Sequence, residues 1–161
     1  NTVMGRPERA VASSKAESLP STYIEATIQK NVRIHPLVLN GAAVMQTYLL
    51  ILNDPPYGTE RSYNGLRLAR TLLNTNEAEV TVFLTGDAAA CAQGGQKVPS
   101  GFYNIGDMLG AVIRRKGEVS VCGTCMDARG IGDADLVPGA ARGTMDILTE
   151  WTQWAGKVQV V

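Results

Sequence analysis

Apolar runs of strand length alternate with stretches of helical spacing, and this alternation most limits what the chain can become. Tyr48-Leu49-Leu50-Ile51-Leu52 is continuously apolar, as in a buried parallel strand. Pro55, Pro56 and Gly58 end it. A helix is expected over residues 60–73, with Tyr63, Leu66, Ala69, Leu72 and Leu73 on one stripe. Val80-Thr81-Val82-Phe83-Leu84 reads as the second strand. Gly86 and Asp87 open a short helix, for which Asp87 is the expected N-cap. A loop with Gly94, Gly95, Pro99 and Gly101 spans residues 92–103. Asn104 then caps a helix, with Asp107 placed as a capping-box acid. Ile105, Met108, Leu109, Val112 and Ile113 keep the i, i+3, i+4, i+7, i+8 spacing, and Gly117 stops it. Residues 119–122 form the third strand. Thr144 begins a last helix with the stripe Ile147, Leu148, Trp151, Trp154 and Ala155, which Gly156 ends before a closing strand at 157–161. Strands alternating with helices imply an α/β fold with a mainly parallel sheet covered on both faces.

Residues 1–44 show no sustained period, whereas 45–161 carry the whole alternation. Met45 stands just before a clean strand and reads as a natural start. The first 44 residues are therefore expected to be an appended leader, or an arm lying on a neighbouring subunit. Within them, residues 23–34 suit a helix or an added strand.

The 15 basic and 15 acidic residues cancel, so no basic field exists to hold nucleic acid or an anionic membrane. No apolar run reaches transmembrane length. Three cysteines are too few for a secreted disulfide framework, and a reduced cytoplasmic setting fits better.

Cys122-Gly123-Thr124-Cys125 sits where the third strand meets a helical turn. Residues three apart on a helix share a face. Thr124 with Asp127 reads as a capping box that starts the helix near Cys125, leaving Cys122 beside its free amides. Arg129, four residues after Cys125, can share that face. Both effects favour a thiolate over the ordinary pKa of about 8.5. Several readings remain open: a sulfur-accepting nucleophile, a dithiol redox pair, or two small buried hydrophobes. A metal site lacks ligands, since the one histidine, His35, lies outside the core pattern. Cys91, among alanines, reads as a buried helix position.

The ends of the strands, at Asn53, Gly86 and Cys122, are candidates for one shared site, because parallel sheets bind ligands beyond their carboxyl ends. Asn53, Tyr57, Glu60 and Lys97 are pocket candidates. Plainer roles compete at each: turn chemistry for Asn53, packing for Tyr57, a favourable acid at a helix start for Glu60, solvation for Lys97. No phosphate-binding glycine motif is present, so no cofactor is expected.

The segment from Pro56-Tyr57-Gly58-Thr59-Glu60-Arg61 to Leu68-Ala69 resembles the first loop and helix of the DsrE/DsrF-like family, especially its YchN-type members. So do Gly95-Gln96-Lys97, Tyr103-Asn104-Ile105, and Cys122-x-Thr124-Cys125-x-Asp127-x-Arg129-Gly130-Ile131. The resemblance covers residues 45–161. It implies a three-layer α/β/α domain of about five strands and a homo-oligomer, typically a trimer or hexamer. It also implies sulfur relay, in which Cys122 carries sulfur as a persulfide between donor and acceptor proteins, with Cys125 as second thiol. The alternatives are a non-catalytic oligomeric binding module and a Cys-x-x-Cys dithiol protein.

Overall fold

The computed structural model describes residues 45–161, so the expectations for residues 1–44, the segment 23–34 and His35 lie outside the described residues. Strand β1 (Gln46–Leu52) pairs with β2 (Ala78–Leu84), placing Leu50 beside Val82 and Leu52 beside Leu84. β2 pairs with β3 (Glu118–Cys122), and β3 with β4 (Ala140–Gly143). β5 (Lys157–Val160) joins the other side of β1. All four pairings are parallel, in the order β4-β3-β2-β1-β5.

That order decides which face each helix covers. Parallel crossovers are right-handed, so successive steps in one direction put their helices on one face, and a step back puts its helix on the other. From β1 to β3 the chain steps one way through α1 (Arg61–Leu73), a 3₁₀ helix (Gly86–Ala92) and α2 (Ile105–Arg114). α1 and α2 pack together. The return from β4 to β5 runs through α4 (Met145–Trp154), after the short α3 (Gly123–Asp127) and a 3₁₀ turn at Asp133–Asp135. The result is an α/β/α sandwich around a five-stranded parallel sheet.

The two layers are unequal. Side chains alternate across a strand. One face offers Leu50, Leu52, Val80, Val82, Leu84, Val119 and Val121 to Leu66, Ala69, Ile105, Leu109 and Val112, all buried in one cluster. On the other face, Phe83 meets Trp151 edge-on at 6.3 Å, and Thr47, Thr81 and Ser120 are buried polar groups. The Thr47 hydroxyl closes the end of α4, donating to the Trp154 carbonyl at 3.3 Å and accepting from Gly156 N–H at 2.8 Å.

Several expectations hold and several are corrected. Asn104 Oδ1 accepts from Asp107 N–H at 3.1 Å, and Thr144 Oγ1 from Ile147 N–H at 3.3 Å, as caps. Asp87 is not an N-cap; Thr85 takes that position, and Asp87 lies inside the first turn. Gly117 does follow the end of α2, but Lys116 adopts the left-handed turn at φ 67. Gly117 is needed for close approach, since a Cβ there would come 2.6 Å from Val112 Cγ1. β4 was not expected: Ala-Ala-Arg-Gly is short and lacks the branched residues that mark strands. It fits against β3 because Gly143 has no side chain; a Cβ there would overlap the Ser120 hydroxyl and meet Phe83 Cε2 at 3.0 Å. The stripe on α4 forms as read, yet none of that helix is fully buried.

Candidate functional site

The parallel strands bring their carboxyl ends to one rim. Thr85 and Gly86 leave β2 there, beside Cys122 at the end of β3. Cys122 is the N-cap of α3, which begins at Gly123. The expected capping box therefore does not form. Thr124 lies inside the helix with its Oγ1 3.3 Å from Cys122 Sγ, and Asp127 turns to Arg142.

Each sulfur has distinct partners. Cys125 Sγ accepts the Gly86 N–H at 3.2 Å and lies 3.6 Å from Thr85 Oγ1. Gly86 has φ +57, a conformation that favours glycine. Cys122 and Cys125 are both free and half-buried. Partial burial by itself would raise the Cys122 pKa. Hydrogen bonds from the Cys125 side chain, the Thr124 hydroxyl, the Cys125 backbone and Thr85 outweigh it and bring the thiol down to about 7.

Two arginines frame the pair, and both are already engaged. Arg129 donates to the Cys125 carbonyl at 3.0 Å and to Asp87 Oδ1. The sequence suggested that Arg129 favours the thiolate directly; instead Asp87 takes up its charge, and it anchors α3 to the 3₁₀ helix. Arg142, from β4, donates to Asp127 at 2.9 Å, Asp133 at 2.7 Å and the Gly123 carbonyl at 3.0 Å. These two aspartates push its pKa further up. The anion on Cys122 is thus favoured by directed hydrogen bonds rather than by a free cation.

Among the described residues, no hydrogen bond joins Asn53, Tyr57, Glu60 or Lys97 to Cys122 or Cys125. Asn53 Nδ2 reaches the Val161 carbonyl at 3.5 Å, while its own carbonyl accepts from Ala88 N–H at 3.1 Å and so supports the 3₁₀ helix. Tyr57 donates to Gln96 Oε1 at 2.7 Å and stacks on Tyr103 at 5.8 Å. Tyr103 stacks in turn on Tyr63 at 4.3 Å, beneath Arg67 at 5.4 Å. Glu60 is exposed at the start of α1 without a side-chain capping bond, and Lys97 is exposed in its loop. A groove of about 440 Å³ opens between residues 93–96 and α2, and neither thiol lines it.

Cys91 is buried, as expected, with its Sγ 3.6 Å from the Asp54 carbonyl. Burial pushes its thiol up to about 11, against a smaller opposing hydrogen bond from Ser62. Sequence reasoning missed Thr85, Arg142 and the pairing of Asp87 with Arg129. Thr85 was findable as the residue just past β2; Arg142 was not, because its strand was unseen. Among the described residues, no three His, Cys, Asp or Glu side chains group to hold a metal ion. No helix among them is long and apolar enough to cross a membrane.

Comparison with known proteins covers nearly all of this domain. The chain is 38% identical over 115 residues to Protein YchN of Escherichia coli strain K12, spanning 71% of this chain and 97% of that protein. An uncharacterized protein of Methanopyrus kandleri is 35% identical over 109 residues, covering 68% of this chain and 88% of its own length. The crystal structure of the E. coli ychN protein superposes with a TM-score of 0.69 at 37% identity, over 73% of this chain and all (100%) of that one. A protein of unknown function from Methanobacterium thermoautotrophicum shares the fold at 12% identity, TM-score 0.56, over 71% of this chain and 97% of its own. The model of the DsrE/DsrF-like family matches residues 46–160, and with the YchN relatives this makes the chain a member of the DsrE/DsrF-like family.

Proposed function

We propose that this protein carries sulfur in relay, as a persulfide on Cys122, within a cytoplasmic homo-oligomer. Membership in a family associated with sulfur relay supports the reading. The observation that carries it is the half-buried Cys122 thiol at the sheet rim, drawn down to about 7 by its hydrogen bonds. Near neutral pH about half of such a thiol is thiolate, against a few per cent of a free cysteine. In the loading step the Cys122 thiolate attacks the outer sulfur of a donor persulfide, R–S–SH. The new bond makes Cys122–S–SH, and R–S⁻ leaves with the electron pair. An acceptor thiolate repeats the displacement on the outer sulfur. Arg129 is a positioning residue, holding α3 through the Cys125 carbonyl and Asp87.

Self-association is supported by the thinner side of the sandwich. Met145 is 65% exposed and Val160 67% exposed, and β5 is an exposed edge strand. Light scattering at micromolar concentration is expected to give a trimer or hexamer, and a monomer overturns that part.

The carrier reading is tested by incubating the reduced protein with inorganic polysulfide and locating added sulfur by mass spectrometry. Wild type is expected to gain sulfur on Cys122, and Cys122→Ser to gain none. Equal loading of the two proteins overturns it, and no loading of either leaves the non-catalytic binding module.

A further inference from the structure

Cys125 is more than a neighbour that tunes Cys122. Its sulfur is held by two groups from the end of β2, the Gly86 N–H at 3.2 Å and the Thr85 hydroxyl at 3.6 Å. These contacts fix the Cys125 sulfur at the end of β2, beside Cys122. The two cysteines occupy the N-cap and third positions of α3. Residues three apart on a helix have Cα atoms about 5 Å apart, inside the span of roughly 4.4–6.8 Å that a disulfide bridges. Arg129 grips the Cys125 carbonyl from one side, and Arg142 grips the Gly123 carbonyl and Asp127 from the other. The short helix is thus pinned at its start, middle and end, which fixes the backbone that carries both cysteines.

We propose that Cys125 discharges the persulfide formed on Cys122, releasing its outer sulfur as hydrogen sulfide. The inference rests on the carrier reading above and adds the product. The Cys125 thiolate attacks the inner sulfur, Cys122 Sγ. The Cys122–Cys125 bond forms as the bond to the outer sulfur breaks. That sulfur leaves with the electron pair and takes up the proton given up by Cys125. Cys122–S–SH and Cys125–SH therefore become one disulfide and one hydrogen sulfide. The outer sulfur is reduced by two electrons and the two cysteines are oxidised by two, so no external oxidant is consumed. A dithiol reductant then resets the pair. With an acceptor thiol at hand, sulfur passes on at the persulfide level; without one, the protein yields sulfide.

The test uses the full reduced chain, loaded with inorganic polysulfide, freed of excess reagent and left without acceptor. Released sulfide is trapped with a fluorogenic thiol reagent while the protein mass is followed. Wild type is expected to release sulfide as the Cys122–Cys125 disulfide appears. Cys125→Ser and Cys125→Ala are expected to hold the sulfur on Cys122 and release it at least about tenfold more slowly. Equal release by wild type and both variants overturns the inference and leaves the carrier reading standing. Sulfur that moves to Cys125 and stays there also overturns it. Failure of every protein to gain sulfur on Cys122 overturns both.

Discussion

The 3₁₀ helix Gly86–Ala92 has a sulfur at each end, and the two could hardly differ more. At its start, the Gly86 N–H serves Cys125, which lies beside a Cys122 thiol lowered to about 7. Near its finish, Cys91 sits under α1, fully buried and raised to about 11. Cys122 ends β3, whereas Cys91 lies inside the 3₁₀ helix that follows β2. At Cys91 burial dominates, and the small hydrogen bond from Ser62 does not offset it. At Cys122 burial is partial, and several hydrogen bonds outweigh it. Acidity in this fold is set by how many donors meet the sulfur once water is partly removed, not by closeness to the rim.

The strongest way to break that contrast is to alkylate the native protein at pH 7 and read each cysteine by mass spectrometry. From values of about 7 and about 11, thiolate fractions differ by about 5,000-fold, before Cys91's lack of access adds to it. Comparable rates at the two sites would undo the comparison.

Next comes stability. Cys91 has a folded pKa raised from 9.0 to about 11, so its contribution is full below 9 and fades as pH rises toward 11. Between pH 8 and pH 10, urea unfolding is expected to show wild type losing on the order of 1 kcal/mol more than Cys91→Ala. Cys122 works in the opposite sense: its folded pKa is lowered from 9.0, so its contribution is present above that value and lost as pH falls through about 7. Parallel pH profiles for wild type and Cys91→Ala would remove burial as the cause.

The smallest expected effect sharpens the hydrogen-bond account. Thr124→Ala should raise the Cys122 pKa and slow its alkylation at pH 7 by about threefold, the worth of one ordinary hydrogen bond. Thr85→Ala, whose hydroxyl also serves Cys125, should do so to a smaller degree. An unchanged rate in both would move the cause to the backbone.

Much of this was legible beforehand, and the gaps have physical reasons. Leu49 to Leu52 and Val80 to Leu84 announced buried parallel strands because both faces of the sheet are covered there. The stripes on α1 and α2 announced the thicker layer for the same reason. β4 stayed hidden because Ala140 to Gly143 is held by backbone pairing and by the absence of a side chain at Gly143, neither of which hydrophobic spacing records. At the site, the Cys-x-x-Cys spacing pointed to the right sulfurs. The pairings of Arg129 with Asp87, and of Arg142 with Asp127 and Asp133, join segments that only the finished fold brings together. Spacing on one helix put Arg129 near the thiols; it could not reveal that a carboxylate from the neighbouring crossover already held it.

Tyr57, Tyr103, Tyr63 and Arg67 form a single column that threads the loop after β1, the loop before α2, and α1 itself. Stacked aromatic pairs add to the burial of their rings, and the Tyr57 hydroxyl fastens the top of the column to Gln96. The column therefore ties the two loops to each other and to α1. A ligand that displaced either loop would have to break this column or carry both loops with it, and the Tyr57 phenol, hydrogen-bonded at Gln96, is a built-in spectroscopic reporter of such a change.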